Sequence, residues 1–326
     1  ECTQGVSEHA VAWADDLVYM ITADSQVALL AKTQVALGVI HDAFVGHGLQ
    51  LNLKEGKTNV MFMPRGEGAQ HFRRRLYFYK DFAVQFFSKY YGKITVNAVF
   101  EYKHLGGTVD HKASLTRETR LRMAMGLGAA RPLKPRIFSS SRIGARTKAA
   151  LGQAVSATKS LYNSMTWPPF NKTESKAFRA GMMKQLRVYA NMECSSSHRS
   201  SDHEVLAYLY VPDPIISLRL SRIRCIARLI HHAPALLALL RANGKYDDSW
   251  ISQLTADLHW MWQLLPNEPN LPDPAVSADE WLDIIRRGGA RWKTLLQKAT
   301  GIHLFKQTKS RETEVWHDAF IDGAKA

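Results

Sequence analysis

The sequence predicts an α+β chain: a small antiparallel sheet with a helix, then a long all-helical remainder. Three observations lead there. Short apolar runs separated by turn residues fill the first 112 positions, whereas from about residue 114 the apolar spacing becomes that of amphipathic helices. Prolines and polar runs cut the helical part into segments, at Pro132, Pro135, Pro168-Pro169 and residues 191–203. Charge follows a similar partition: residues 1–60 carry 3 Lys+Arg against 7 Asp+Glu, residues 61–190 carry 24 against 6, and residues 191–326 carry 16 against 16. The expected organisation is an α/β part over 1–112, basic helices over 113–192 and further helices over 204–326.

In order along the chain, residues 9–21 read as two short strands with Asp15-Asp16 as the tight turn between them. Asp24 or Ser25 then caps a helix whose apolar stripe runs from Val27 to Val45, stopped by Gly46 and Gly48. Residues 49–53 and 58–63 look extended, joined at Glu55-Gly56. The stretch 65–92 has no clear period; it joins Arg73-Arg74-Arg75 to a run of aromatics from Tyr77 to Tyr91. Residues 93–100 alternate as a strand does, and Gly106-Gly107 makes a turn. Helical patterns follow at 114–130, 142–165, 172–190, 214–232, 234–243, 248–264, 279–298 and 311–321, with Ser277-x-x-Glu280 as a capping box.

Composition excludes several classes. The chain has 326 residues, 46% hydrophobic and 22% charged, which is ordinary globular usage. Its 3 cysteines form no CxxC pair, so a zinc ribbon has no ligands and a disulfide framework has no basis. Scattered reduced thiols suggest an intracellular protein, nuclear or cytoplasmic. The longest unbroken apolar stretch, Ala233 to Leu240, is far shorter than the about 20 residues of a membrane span. The chain opens on Glu1 and not on methionine, which suggests a piece of something longer. The basic excess over 61–190 suits a polyanion, above all a nucleic acid. No P-loop, GxGxxG or Ser-His-Asp order is present.

Two adjacent carboxylates between apolar runs are costly to bury unless a cation neutralises them. Mg²⁺ accepts hard oxygen ligands, and a pair of such ions serves phosphoryl transfer. By itself the pair Asp15-Asp16 reads as an ordinary solvent-exposed turn; its setting adds more. Trp13-Ala14-Asp15-Asp16 with apolar flanks resembles the catalytic hairpin of reverse transcriptases. LNLKEGKTNVMFM (Leu51 to Met63) looks like the Leu-Asn…Lys-Thr…Met segment that follows the hairpin in non-LTR retrotransposon polymerases. EYKHLGG (Glu101 to Gly107) is similar to their Tyr-x-x-Leu-Gly primer-grip strand and turn. The three occur in the family's order. Arg146 to Trp167, the KQLRVY ending at Tyr189 and Leu220 to Ile230 look like the thumb and the Arg-rich helix after it.

The resemblance is specific over 9–107, weaker over 108–235 and absent beyond. It implies a partial polymerase palm, an all-helical thumb and a C-terminal helical region. The implied activity is RNA-directed DNA synthesis by two-metal nucleotidyl transfer, with Mg²⁺ as cofactor and Mn²⁺ as the alternative ion. It makes Asp15 the direct metal ligand and Asp16 its support. Lys57 matches the motif lysine, which would neutralise charge at the triphosphate, and reads otherwise as a surface lysine after a glycine turn. Leu105, Gly106 and Gly107 would hold the primer end. Implied partners are an RNA template, a DNA primer and dNTP in the intact parent, with no membrane.

The family also needs a third carboxylate on an earlier strand, and only 14 residues precede Asp15. The expectation is therefore a fragment that does not polymerise alone. The alternative is a non-catalytic nucleic-acid-binding remnant with a basic helical surface. Its candidate contacts are Arg73, Arg74, Arg75, Arg142, Arg146 and Lys148. The aromatics from Tyr77 to Tyr91 either stack on bases or pack under the sheet, and packing is the simpler expectation. Cys194, His198 and His203 read as a solvated loop. Trp250, Trp260, Trp262, Trp281, Trp292 and Trp316 read as the core of a C-terminal bundle.

Overall fold

The computed structural model describes residues 9–13, 16–54, 56–79, 83–104, 106–193, 200–242, 249–268 and 271–323, with backbone alone at 9–13, 16, 104 and 310–323. The chain is α+β and divides into two compact units, Glu1–Ser114 and Leu115–Ala326. All seven described strands lie in the first unit.

Strands β1 (His9–Trp13) and β2 (Asp16–Met20) pair antiparallel, with Trp13 opposite Asp16. Asp16 therefore opens a strand, where an Asp-Asp turn was expected; Asp15 lies outside the described residues. Helix α1 (Gln26–Gly46) starts where the Ser25 hydroxyl accepts the Ala28 N–H at 3.2 Å, and ends before Gly48, whose φ of 74° an L side chain rarely adopts. Within 58–63 only β3 (Asn59–Val60) is a strand, and 49–53 form none. The stretch without a clear period holds helix α2 (Ala69–Tyr77) and strand β4 (Ala83–Ser88). β5 (Gly92–Ala98) returns antiparallel to β4, and β3 joins β5 in parallel. β6 (Glu101–His104) and β7 (Gly107–Asp110) form a last hairpin. The expected single antiparallel sheet is thus three small sheets, ordered β1-β2, β3-β5-β4 and β6-β7, with one parallel pair.

A core of Phe62, Leu76, Tyr77, Val84, Phe86 and Val96 sits under the three-stranded sheet, with Leu30 and Leu37 of α1 packed on it. One stripe of α1 lies along the outer edge of β4. Gln34 Nε2 donates to the Gln85 carbonyl at 2.6 Å, and a Cβ at Gly38 would stand 2.6 Å from the Phe87 carbonyl oxygen. One turn on, the Asp42 carboxylate accepts from the Ser88 hydroxyl at 2.6 Å and the Lys89 N–H at 3.2 Å. The Ser88 bond is the main cause holding the Asp42 pKa below its ordinary value. Helix α1 also has the length and apolar composition of a membrane span, which core helices and leader segments share.

The second unit contains α3 (Thr116–Ala130), α4 (Ala145–Gly152), α5 (Thr158–Ser160), α6 (Lys172–Ala190), α7 (Asp202–Leu209), α8 (Pro214–His232), α9 (Pro234–Ala242), α10 (Trp250–Gln263), α11 (Ala278–Arg287) and α12 (Gly289–Gly323). The helix expected over 142–165 is interrupted between α4 and α5 by a π-helical turn, Gln153–Ala157. Part of the expected polar linker, from Asp202 onward, is α7, and the helix expected over 279–298 breaks at Gly288. Ser277 makes no side-chain cap, because its ψ of 53° departs from the extended backbone that capping needs. Capping boxes occur instead at Asn171/Glu174 and Ser201/Glu204. Glu174 does double service: it accepts the Asn171 N–H at 3.1 Å and the Leu115 N–H at the start of α3 at 2.8 Å.

Helices α3 to α6 approach closely through glycines. A Cβ on Gly152 would meet the Tyr189 ring at 2.6 Å, and one on Gly126 would stand 1.8 Å from Ser160 Oγ. Between them lies a closed polar knot: Gln185 Oε1 accepts from the Ser156 and Ser160 hydroxyls at 2.9 and 2.8 Å, all three residues being buried. The C-terminal helices close over Ile223, Met261, Trp281, Ile285 and Trp292. Trp281 and Trp292 are core residues as expected; Trp250, Trp260 and Trp262 pack at its margin, and the Trp316 side chain lies outside the description. Arg222 meets the fully buried Asp257 carboxylate through two bonds of 2.6 and 3.2 Å.

Candidate nucleic-acid interface

In the first unit the strands bring two expected segments together. Lys57 sits in a tight bend where Gly56 has φ 77°, the Lys57 N–H donates to the Lys54 carbonyl at 3.1 Å, and the Lys57 side chain is exposed. The Lys57 carbonyl accepts from Asn59 Nδ2 at 3.1 Å and from the Tyr102 hydroxyl of β6 at 3.4 Å. Tyr102 thereby ties the lysine bend to the β6–β7 hairpin. At the tip of that hairpin Gly106 has φ 80°, and Gly107 opens β7 opposite His104. Leu105 and Asp15 lie outside the described residues, and the Asp16 side chain is not described. Among the described residues no three His, Cys, Asp or Glu side chains converge as a metal-binding set.

The three arginines ride on α2. Arg73 Nε turns back to the Ala69 carbonyl at 3.2 Å, while Arg74 and Arg75 are exposed in the last turn, where the helix dipole favours cations. The aromatic run beside them is split by the alternation of β4 and its neighbours. Tyr77 and Phe86 are buried, whereas Phe78, Tyr79, Phe87, Tyr90 and Tyr91 are exposed. Packing accounts for part of the run; of the exposed rings, Phe78 leans on Phe100, Tyr91 on His41, and Tyr90 lies under the Lys89 ammonium.

In the second unit residues 115–192 carry 15 Lys+Arg and 2 Asp+Glu. Both acids are internal. Glu118 is 2% exposed and bonded to Arg122 at 2.6 Å; Glu174 is 4% exposed and spent on capping two helices. The surface of α3 to α6 therefore carries cations with no acid of its own. Arg120, Arg131, Arg136, Arg142, Arg146 and Lys159 are all exposed. Arg146 is further ordered by Tyr210, whose ring lies 4.9 Å beneath its guanidinium. Lys148 differs from the two arginines it was grouped with: it is only 4% exposed, so it is no freely projecting surface cation.

Sequence reasoning missed the burial of both acids and the Arg146–Tyr210 stack. Glu118 and Arg122 stand at i and i+4 on a helix, a spacing that signals the first of these. Tyr210 adopts φ 53° at the end of α7, a conformation no local pattern announces. Lysines and arginines on such a surface have the charge for phosphate contacts, which carry no information on base identity. Family models, characterised proteins and solved structures were all compared with this chain, and none of them matches it.

Proposed function

We propose that the chain is the palm and thumb portion of a non-LTR-type reverse transcriptase, acting on its own as a nucleic-acid binder. Its parent activity would be RNA-directed DNA synthesis on a primed RNA template. The observation that carries the reading is a conjunction in the first unit. Trp13 and Asp16 of the Trp-Ala-Asp-Asp segment stand opposite each other at the end of β1 and the start of β2, and the two later motifs meet through the Tyr102–Lys57 bond. Asp15 and Asp16 would hold Mg²⁺, or Mn²⁺ in its place. Two carboxylates at one connection cannot by themselves fix two ions for in-line attack, so no extension by this chain alone is expected.

Primer extension on a poly(rA) template with Mg²⁺ or Mn²⁺ tests this directly. The expected result is binding without extension, with extension returning when a palm segment bearing a third carboxylate is fused ahead of the chain. Extension by the chain itself that vanishes in Asp15→Asn would overturn the inactive-alone part. A fused protein indifferent to Asp15→Asn would sink the polymerase part.

A second reading is favoured by the acid-free surface of α3 to α6: a non-catalytic binder repurposed from such a polymerase. Both readings require binding that weakens steeply with salt, since each phosphate contact releases counterions. An affinity unchanged between about 50 and 200 mM salt would reject both.

A further inference from the structure

We propose that the Arg146–Tyr210 stack is a platform for an unpaired nucleobase, so that this surface takes a single-stranded stretch of nucleic acid and not only a duplex. The inference deepens the nucleic-acid reading above and rests on it for the class of ligand. Among the described residues the non-glycine positions with positive φ are Ala113, Asn163, Asn191 and Tyr210. Alanine carries the smallest side chain, and asparagine tolerates the left-handed region. Tyr210, at φ 53°, is the bulky side chain held there. Such strain persists only where the surroundings over-determine it. They do so here: Leu209 and Val211 on either side are buried. The Tyr210 N–H donates to the Ala207 carbonyl at 3.2 Å, and the Val211 N–H to the Leu206 carbonyl at 3.1 Å.

Burial is not what the strained residue gains. Tyr210 is 41% exposed, and its ring carries the Arg146 guanidinium 4.9 Å over its face. Arg146 is itself exposed, and among the described residues no carboxylate pairs with it. An arginine without an acid partner keeps its charge for a phosphate, and a guanidinium laid on a ring keeps its outer plane for a base. The ring fixes that plane in advance, which lowers the ordering cost when a ligand arrives. Around it the surface of α3 to α6 exposes Arg131, Arg136, Arg142 and Lys159, so the backbone next to a stacked base meets positive potential. Bases inside a duplex cover one another's faces; an unpaired or terminal base offers its face to such a plane. Stacking reads no base edge, so what is recognised is the state of the strand and not its sequence.

The test uses the full chain, Tyr210→Asn, Tyr210→Phe, Arg146→Gln and, as a control on an exposed tyrosine of α7, Tyr208→Leu. Single-stranded RNA and DNA oligonucleotides carrying the fluorescent base 2-aminopurine are compared with a blunt duplex, at saturating protein and by titration, alongside thermal unfolding. The native chain is expected to quench the single-stranded probe. Tyr210→Asn should abolish the quenching and lower single-strand affinity at least about fivefold more than duplex affinity. Its Tm should equal or exceed that of the native chain, because asparagine accepts the left-handed backbone. Tyr210→Phe should keep the quenching, and Tyr208→Leu should leave it as it is. Equal losses on single strand and duplex in Tyr210→Asn overturn the platform. So does a Tm loss in Tyr210→Asn with single-strand affinity intact, which marks a packing tyrosine. If Tyr210→Asn does not fold, Arg146→Gln decides: quenching lost at saturation supports the platform, and quenching retained ends it. A native chain that binds duplex but leaves the probe unquenched rejects the platform alone. One that binds neither nucleic acid rejects the wider nucleic-acid reading with it.

Discussion

Among the described residues, Glu1–Ser114 buries 8 apolar side chains and exposes 14 large ones, while Leu115–Ala326 buries 37 and exposes 11. The difference lies in how each part finishes its core. The helical unit interlocks through glycines, closes a polar knot at Gln185 and buries the carboxylates of Glu118, Glu174 and Asp257. In the first unit the described strands form sheets of two, three and two members, and Leu17, Tyr19 and Phe87 of the strands and Val35 and Val39 of α1 stay at the surface. Two-stranded hairpins are marginal in water without a packed face. The contrast separates a helical unit with a finished core from a smaller unit that leaves much of its apolar surface open.

Amide hydrogen exchange gives the largest expected effect. The β1–β2 hairpin should exchange orders of magnitude faster than α6, α8 and α10, whose opening requires the global transition. Equal protection in both would erase the contrast. Next in size is Arg222→Met, which leaves the Asp257 carboxylate buried without its bidentate partner. A loss of about 3–5 kcal/mol is expected in urea unfolding, and Arg222→Met with Asp257→Leu should recover most of it. A smaller effect, about 1–3 kcal/mol, is expected for Gly38→Ala, whose new methyl meets the Phe87 carbonyl. That loss should appear in the unfolding of the first unit and leave the helical signal of the second in place.

The smallest effect at neutral pH concerns Tyr189. Burial raises its hydroxyl pKa to about 12, against an ordinary value near 10. Over that interval the unfolded chain has released a proton that the folded chain retains, so stability is intact below about pH 10 and falls as pH rises toward about 12. Tyr189→Phe should flatten that alkaline loss in a Tm-against-pH series, and an unchanged slope would place the buried hydroxyl in contact with water.

Much of the helical part was legible because its stripes are long. The pattern at 172–190 coincides with α6 and that at 214–232 with α8. Interruptions were not legible: the π-helical turn at Gln153–Ala157 contains no proline or glycine, and the single Gly152 before it sits inside an unbroken helical pattern. Around residues 65–92 the difficulty was chemical. Aromatics fill both faces of β4, with Phe86 inward and Phe87 outward, so hydrophobicity alone carried no period there. For the candidate site, the lysine bend and the glycine turn could be read from motif residues, whereas their junction depends on one tyrosine hydroxyl. The acid-free surface was half legible: the cation count stood in the sequence, but the burial of Glu118 and Glu174 is a property of packing.

The stripe Gln34–Gly38–Asp42 decides which way the three-stranded sheet can grow. With β4's outward carbonyls plugged by a helix, a newcomer strand has no vacancy on that flank. The opposite margin, β3, is two residues long, and among the described residues no helix bonds along it as α1 does along β4. Any segment recruited to enlarge this sheet must therefore enter beside Asn59–Val60, next door to the bend that presents Lys57.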